Sequence, residues 1–313
     1  MKALVTGGAG FIGSNLVDAL VARGDQVHVL DDLSTGRRSN LDSAIAGGAS
    51  FTEGSITDRS VLDTLLAAAR PEVIFHLAAQ IDVRRSVADP RADSEINVGG
   101  TINLIESALA NGSPRIVFSS TGGAIYGEAP DEQIPTSESF VPAPEAPYGQ
   151  AKFSAEGYLA LAGRLHGLSS VALRYGNVYG PRQDPLGEAG VIAIFCGKLL
   201  AEERPIVYGD GAQTRDYVHV DDVVSANLAA AGSSVTGAVN IGTGVETSVL
   251  DLIDALSPHA TADFSPEFAP ARPGELPRSA LDAARAGAEL GWSARTGIAE
   301  GLAATLESAK TTA

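Results

Sequence analysis

Short apolar, β-branched runs alternate with stretches of helical periodicity through the first half of the chain. The runs at residues 3–6, 26–30, 50–53, 73–77, 115–119 and 170–175 predict strands, and the stretches at 10–23 and 60–69 predict helices. Alternation at this spacing predicts an α/β fold built on a doubly wound parallel sheet. The order loosens after Gly176. Residues 128–147 and 269–277, rich in proline, alanine and acids, read as surface loops. A strand and helix at 217–231 look set to rejoin the first lobe. The expected organisation is a first lobe of residues 1–176, rejoined by 217–243, and a smaller C-terminal lobe over 177–313. No internal repeat or long low-complexity tract interrupts it.

The first apolar run leads into KALVTGGAGFIGSNLVDALVARG. Gly7, Gly10 and Gly13 lie between the strand and an amphipathic helix that stops at Gly24. Glycine at the first position permits a tight turn. At the second it lets phosphates approach the backbone, and at the third it lets helix and strand pack closely, with the helix N-terminus facing the anion. Ordinary strand-to-helix turns also carry such triplets, so context matters. The next strand, QVHVLDD, ends in Asp31, 31 − 13 = 18 residues past Gly13. An acid there holds both ribose hydroxyls and repels a 2′-phosphate, which favours NAD over NADP in a Rossmann-type site. Two features speak otherwise. Asp31 and Asp32 would also cap a plain turn, and Arg37 and Arg38 close by would suit NADP.

Tyr148 and Lys152 are one helical turn apart and share a face. An ammonium beside a phenol favours the phenolate and lowers its reference pKa of about 10. Such a tyrosine can take a proton from a sugar hydroxyl while hydride leaves the same carbon. The isolated pattern also fits a surface pair packed stem to ring. At the end of the fifth predicted strand, VFSSTGGAIYGE offers Ser119, Ser120 and Thr121 as hydroxyls where open α/β sheets bind ligands. Asn97, early in a helix, would brace the site or simply give that helix polarity.

Composition narrows the partners. The charge of 22 − 38 = −16 makes nucleic acid and anionic membranes poor partners, and local arginines and helix N-termini must then hold any anionic ligand. The single cysteine, Cys196, excludes an intrachain disulfide framework and reads as an inert core thiol. The opening MKALVTGG lacks the apolar core of a signal peptide, and no apolar run approaches the ~18 residues of a membrane span. A cytoplasmic chain without a metal site is expected.

The ordered set TGGAGFIG, DDLSTG, HLAAQ, INVGGT, SSTGGAIYG, PYGQAK, RYGNVYGPRQ and GAQTRDYVHVDD resembles the extended short-chain dehydrogenase/reductase family, and within it the bacterial UDP-glucose (galactose) 4-epimerases. The resemblance covers Lys2 to about Trp292. It implies Thr121 as the hydrogen-bonding hydroxyl, Tyr148 as acid/base and Lys152 as its electrostatic partner, with Ser120 as the alternative because the 118–126 stretch is one residue longer than in relatives. It implies an NAD site formed by Gly7, Gly10, Phe11, Ile12, Gly13, Asp31, Ser55, Ile56, Leu77, Ala78, Ala79, Asn97, Ser119, Tyr148, Lys152 and Tyr175. Ser55 stands where the family usually has an aspartate at the adenine.

A UDP-sugar substrate is implied at Asn177, Val191, Tyr208, Arg215, Arg272 and Ser279, the two arginines gripping the diphosphate. Each would otherwise read as a surface ion pair, and Tyr208 as a core aromatic. Ser279 matches a size gate; being small, it admits N-acetylated hexoses. Asp184 would repel a uronate, whereas Arg84 and Arg85 would attract one. The resemblance also implies a homodimer through helices near 97–111 and 148–165. Two further readings compete: a sugar-nucleotide dehydratase or decarboxylase, which would want acids where Gly122, Gly123 and Ala124 stand, and a non-catalytic NAD sensor, which would not need Tyr148 and Lys152.

Overall fold

A computed structural model describes residues 1–185, 190–272 and 276–312. The chain runs β1 (Lys2–Thr6), α1 (Phe11–Ala22), β2 (Gln26–Asp31), α2 (Asp42–Ala46), β3 (Ser50–Glu53), α3 (Arg59–Ala69) and β4 (Val73–His76). It continues through α4 (Val83–Ala88), α5 (Pro90–Ser94), a single π-turn at Glu95–Gly99, α6 (Gly100–Ala110), β5 (Arg115–Thr121), α7 (Gly122–Ile125), α8 (Pro147–His166) and β6 (Ser170–Tyr175). These strands and β10 (Gly237–Ile241) form one parallel sheet of seven, ordered β10-β6-β5-β4-β1-β2-β3. This is the doubly wound Rossmann-type sheet, reversing direction between β1 and β4, where such sheets bind ligands.

The central strands are apolar throughout because helices cover both faces. Every residue of β4 and β6 is buried. One core, around Val5, Leu16, Val29 and Phe75, lies on the α1 and α10 (Val220–Ala231) side. The other, around Leu4, Ile74, Leu104 and Leu159, lies under α3, α6 and α8. Pro147 opens α8 and Gly167 closes it in the left-handed conformation, φ 72°, the expected pairing of a proline start with a glycine stop.

The second lobe has its own core of Tyr179, Phe195, Cys196, Val207, Leu252 and Phe264. It contains β7 (Asn177–Tyr179), α9 (Val191–Leu200), β8 (Ile206–Tyr208), β9 (Thr214–His219), β11 (Glu246–Ser248), α11 (Val249–Leu256), β12 (Glu267–Ala269) and α12 (Ile298–Thr312). The strand expected to rejoin the first lobe at Tyr217 does not enter the large sheet. β9 pairs with β7 and β11 in a sheet of three. The helix after it, α10, and then β10 cover and extend the large sheet. Apolar alternation cannot say which sheet a strand joins. Part of the 269–277 loop is also strand, since Ala269 ends β12 beside β8.

Candidate active site

The glycine loop leaves β1 with Gly7 at φ 71°. A Cβ on Gly7 would lie 2.6 Å from the Ala78 nitrogen, and one on Gly13 would lie 2.1 Å from the Gly7 carbonyl oxygen. Glycine is thus forced at 7 by conformation and contact, and at 13 by the packing of α1 on the loop. Gly10 caps α1 without a side chain, and the first turn carries no acid. The N–H groups of Phe11, Ile12 and Gly13 therefore end a helix whose positive pole faces the loop. The cradle suits a pyrophosphate.

Asp31 ends β2 beside the cradle. Its Oδ2 accepts the Ala9 N–H at 2.9 Å, and its Oδ1 accepts the Leu33 N–H at 2.8 Å. Burial pushes its carboxyl up from the ordinary range, and those two bonds pull it back. The arginines that would suit NADP are engaged elsewhere. Arg37 pairs with Asp184 at 2.8 Å, and Arg38 lies 4.4 Å over the Phe51 ring. Leu77, Ala78 and Ala79 follow β4, half-buried, on the other side of the loop. Ser55 accepts from the Thr57 hydroxyl at 2.9 Å. Ile56 is buried against Gly100, so its side chain packs into the core rather than standing open.

Tyr148 and Lys152 face the sheet from the start of α8. The Tyr148 N–H is 3.2 Å from the Ser86 hydroxyl. Lys152 is 3% exposed; its Nζ donates to the Ser119 carbonyl at 2.9 Å and lies 4.8 Å over Phe118. The expectation that Lys152 lowers the Tyr148 phenol needs correction. Burial first, and the charge of Asp93 second, push that phenol above its ordinary value. Burial also brings Lys152 down to about 8, against the pull of Asp93 and Glu156.

β5 runs two residues beyond the expected strand, to Thr121. Ser119 meets the Tyr175 hydroxyl at 3.0 Å, and that phenol also reaches Asn227. The Ser120 hydroxyl donates to Glu156 at 2.6 Å, a carboxylate gripped twice by Arg174. Thr121 is half-buried and pairs with Tyr175 in the sheet, but its hydroxyl makes no hydrogen bond among the described residues. Of the two candidate hydroxyls, only that of Thr121 is left for a ligand. A Cβ on nearby Gly123 would meet Asn177 Oδ1 at 3.6 Å, an ordinary contact, so the space beside Thr121 is open there.

A buried polar cluster behind Tyr148 escaped the sequence reading. Asn97, in the π-turn, accepts the Gln80 N–H at 3.0 Å and donates to the Gln80 carbonyl and Asp93 at 2.9 Å each. The Gln80 amide donates to the same Asp93 oxygen at 2.8 Å. His76 links this cluster to the glycine loop: Nδ1 is 2.8 Å from the Thr6 hydroxyl and Nε2 is 3.0 Å from that of Thr101. The HLAAQ and INVGGT strings contain His76, Gln80 and Asn97, but only the fold joins them to Asp93.

In the second lobe, Arg272 stacks 3.9 Å over the Tyr208 ring at the end of β8. Arg215 lies in β9, with Nη1 on the carbonyls of Thr214 and Leu276 at 2.7 and 2.8 Å. Asn177 begins β7 and Val191 begins α9. Ser279 is half-buried between Arg278, which binds Glu246 at 2.6 Å, and the buried Ala280. Cys196 lies in the core, its thiol pushed up to about 12 by burial.

Residues 3–242 match the NAD dependent epimerase/dehydratase family. The chain belongs to that family. A UDP-glucose 4-epimerase of Mycolicibacterium smegmatis is 49% identical over 309 residues, covering 98% of each chain. The UDP-glucose 4-epimerase of Thermotoga maritima, solved with UDP-glucose, superposes with a TM-score of 0.95 at 46% identity, covering 100% and 99% of the two chains. The Thermus thermophilus enzyme, solved with NAD, gives 0.93 at 41% identity over all of both chains. Among the described residues, no helix is long and apolar enough to cross a membrane.

Proposed function

We propose that the chain interconverts UDP-hexoses at C4, an isomerase of the UDP-glucose 4-epimerase type that retains NAD. What supports this reading is that the glycine cradle follows β1, Thr121 with an unengaged hydroxyl ends β5, and α8, which carries Tyr148 at its start, packs on β5. When bound, NAD supplies the acceptor that takes the C4 hydrogen and returns it to the opposite face. Gly7, Gly10 and Gly13 admit its pyrophosphate and Asp31 its ribose. The Tyr148 oxygen takes the proton from O4, and Thr121 holds O4 by a hydrogen bond. The positive charge brought by the cofactor opposes the burial that keeps Tyr148 protonated in the free chain.

In the substrate site, Tyr208, stacked under Arg272, would line the uracil, Arg215 and Arg272 would grip the diphosphate, Asn177 would contact a phosphate or the sugar, and Val191 would line the site at the start of α9. Binding energy directed at UDP leaves the hexose free to turn between its two faces. The small Ser279 admits a 2-acetamido group. Asp184 is paired with Arg37, so its charge no longer argues against a uronate, and UDP-glucuronate stays among the substrates to test.

The chain is also proposed to act in the cytoplasm and to pair as a homodimer. Tyr158, Leu161 and Leu165 of α8 are 44%, 38% and 64% exposed. Their spacing of three and four residues makes one uncovered apolar stripe on the helix proposed as the interface.

The decisive experiment incubates the protein with UDP-glucose, UDP-N-acetylglucosamine or UDP-glucuronate, without added cofactor, and resolves products by NMR. A 4-epimer is expected. A 4-keto-6-deoxy or decarboxylated product would instead assign a dehydratase or decarboxylase, and unchanged substrate over NAD-loaded protein would assign a sensor.

A further inference from the structure

Asp93 is an acid at a position where an amide would satisfy every neighbour. It is 1% exposed, at the end of α5, which packs against α8. Its Oδ1 accepts both the Gln80 amide at 2.8 Å and the Asn97 amide at 2.9 Å. Its Oδ2 is buried with no hydrogen-bond partner among the described residues. An asparagine would accept the same two bonds through its own Oδ1 and avoid the cost of a buried charge. Carboxylates are rarely buried so completely unless the charge is paired or used.

The charge has one candidate for its use. Lys152, on the facing helix, is almost as buried, and among the described residues its Nζ makes a single hydrogen bond, to the Ser119 carbonyl. Three other ionisable groups surround it. Glu156, on the same helix, is held by two bonds from Arg174 of β6 and a third from Ser120. His76 of β4 stays neutral, driven down to about 3 by burial and by Lys152 itself. Tyr148 is a protonated phenol in the free chain. Asp93 is the negative charge in this group without a cation of its own.

We infer that Asp93 acts through Lys152: its charge keeps the buried lysine an ammonium, the cation that a Tyr148 phenolate would need beside it. The catalytic half of this statement rests on the epimerase reading above. Burial alone takes Lys152 toward neutrality, and Asp93 is the larger of the two carboxylate charges that oppose it. In return, Lys152 and the amides of Gln80 and Asn97 favour the ionised form of Asp93 against its burial.

The test is Asp93→Asn, read by NMR titration of protein labelled in its lysine side chains. The sequence has four, Lys2, Lys152, Lys198 and Lys310, so each signal is resolvable. In the wild type, burial is expected to bring Lys152 down to about 8. In the variant it titrates lower by about one unit or more. Removing a negative charge disfavours every nearby proton, so both limbs of the kcat–pH profile move to lower pH together. A purely structural Asp93 would lower Tm and leave both readings in place. Equal Lys152 titrations in the two proteins overturn the inference. So does failure of Asp93→Asn to fold, because the fold would then need the carboxylate itself. The titration needs no substrate, so an error in the epimerase reading shows separately, as absence of a 4-epimer from protein whose Lys152 titrates as stated.

Discussion

His76 makes the fold sensitive to acid, and its burial and hydrogen bonds set the sign. The Thr101 hydroxyl spends its proton on the Asn97 carbonyl at 2.7 Å, so toward His76 it accepts, and Nε2 carries the ring hydrogen. Nδ1 therefore accepts from the Thr6 hydroxyl, which itself receives the Ala78 N–H at 3.3 Å. A second ring proton would meet a hydroxyl already pointing at it, in a site that is 1% exposed. Burial first, and Lys152 second, lower the ring from 6.5 to about 3. The folded state thus binds this proton less well than the unfolded chain. Stability is fully present above 6.5 and is lost as pH falls from 6.5 toward 3. Linkage gives a loss of about 2 kcal/mol between pH 7 and 5, and about 5 kcal/mol in all at lower pH. Urea unfolding of cofactor-free wild type and His76→Gln, at pH 7, 6 and 5, isolates the term. Other carboxylates contribute to both proteins and cancel in the difference. The variant is expected to be less stable at pH 7 and to lose about 2 kcal/mol less on going to pH 5. Parallel pH dependences in the two proteins would refute the tautomer and the linkage together.

Three variants of the site and one control have expected outcomes of their own. Gly13→Ala places a Cβ 2.1 Å from the Gly7 carbonyl, so it is expected to cost about 1–3 kcal/mol in urea unfolding and to yield protein without bound NAD by absorbance. Gly157→Ala in α8, where a Cβ meets nothing within 4 Å, serves as control and is expected to stabilise by up to about 1 kcal/mol. Tyr148→Phe is expected to lower kcat by about 10²–10⁴ while UDP binding by calorimetry is unchanged; near-normal turnover would remove Tyr148 from the acid/base role. Ser279→Tyr is expected to cut turnover of UDP-N-acetylglucosamine by about tenfold or more relative to UDP-glucose, and an unchanged ratio would dismiss the gate.

Local patterns reached the nucleotide lobe because its chemistry is local. Gly7, Gly10 and Gly13 answer to one turn and one helix start, and the spacing of Tyr148 and Lys152 answers to one turn of α8. What escaped the sequence is what tertiary packing decides. β9 has the apolar alternation of a large-sheet strand, yet it pairs with β7 and β11. Ser120 and Thr121 are adjacent hydroxyls on one strand, and they separate only when Arg174 of β6 brings Glu156 within reach of the first. Tyr148 and Lys152 share a face as the spacing predicts, but their charge states are set from outside α8. His76, Gln80 and Asp93 come from β4, the loop after it and α5, and Asn97 from the π-turn that widens the chain before α6. A π-turn inserts one residue into the helical ladder. It lets the Asn97 side chain reach both the backbone of Gln80 and the carboxylate of Asp93 from a single position. Sequence spacing could place the tyrosine proposed as acid/base. On that proposal its proton exchange depends on a buried cluster whose members share no periodicity, and changes in that cluster would shift pH dependence without touching the Tyr–Lys pair.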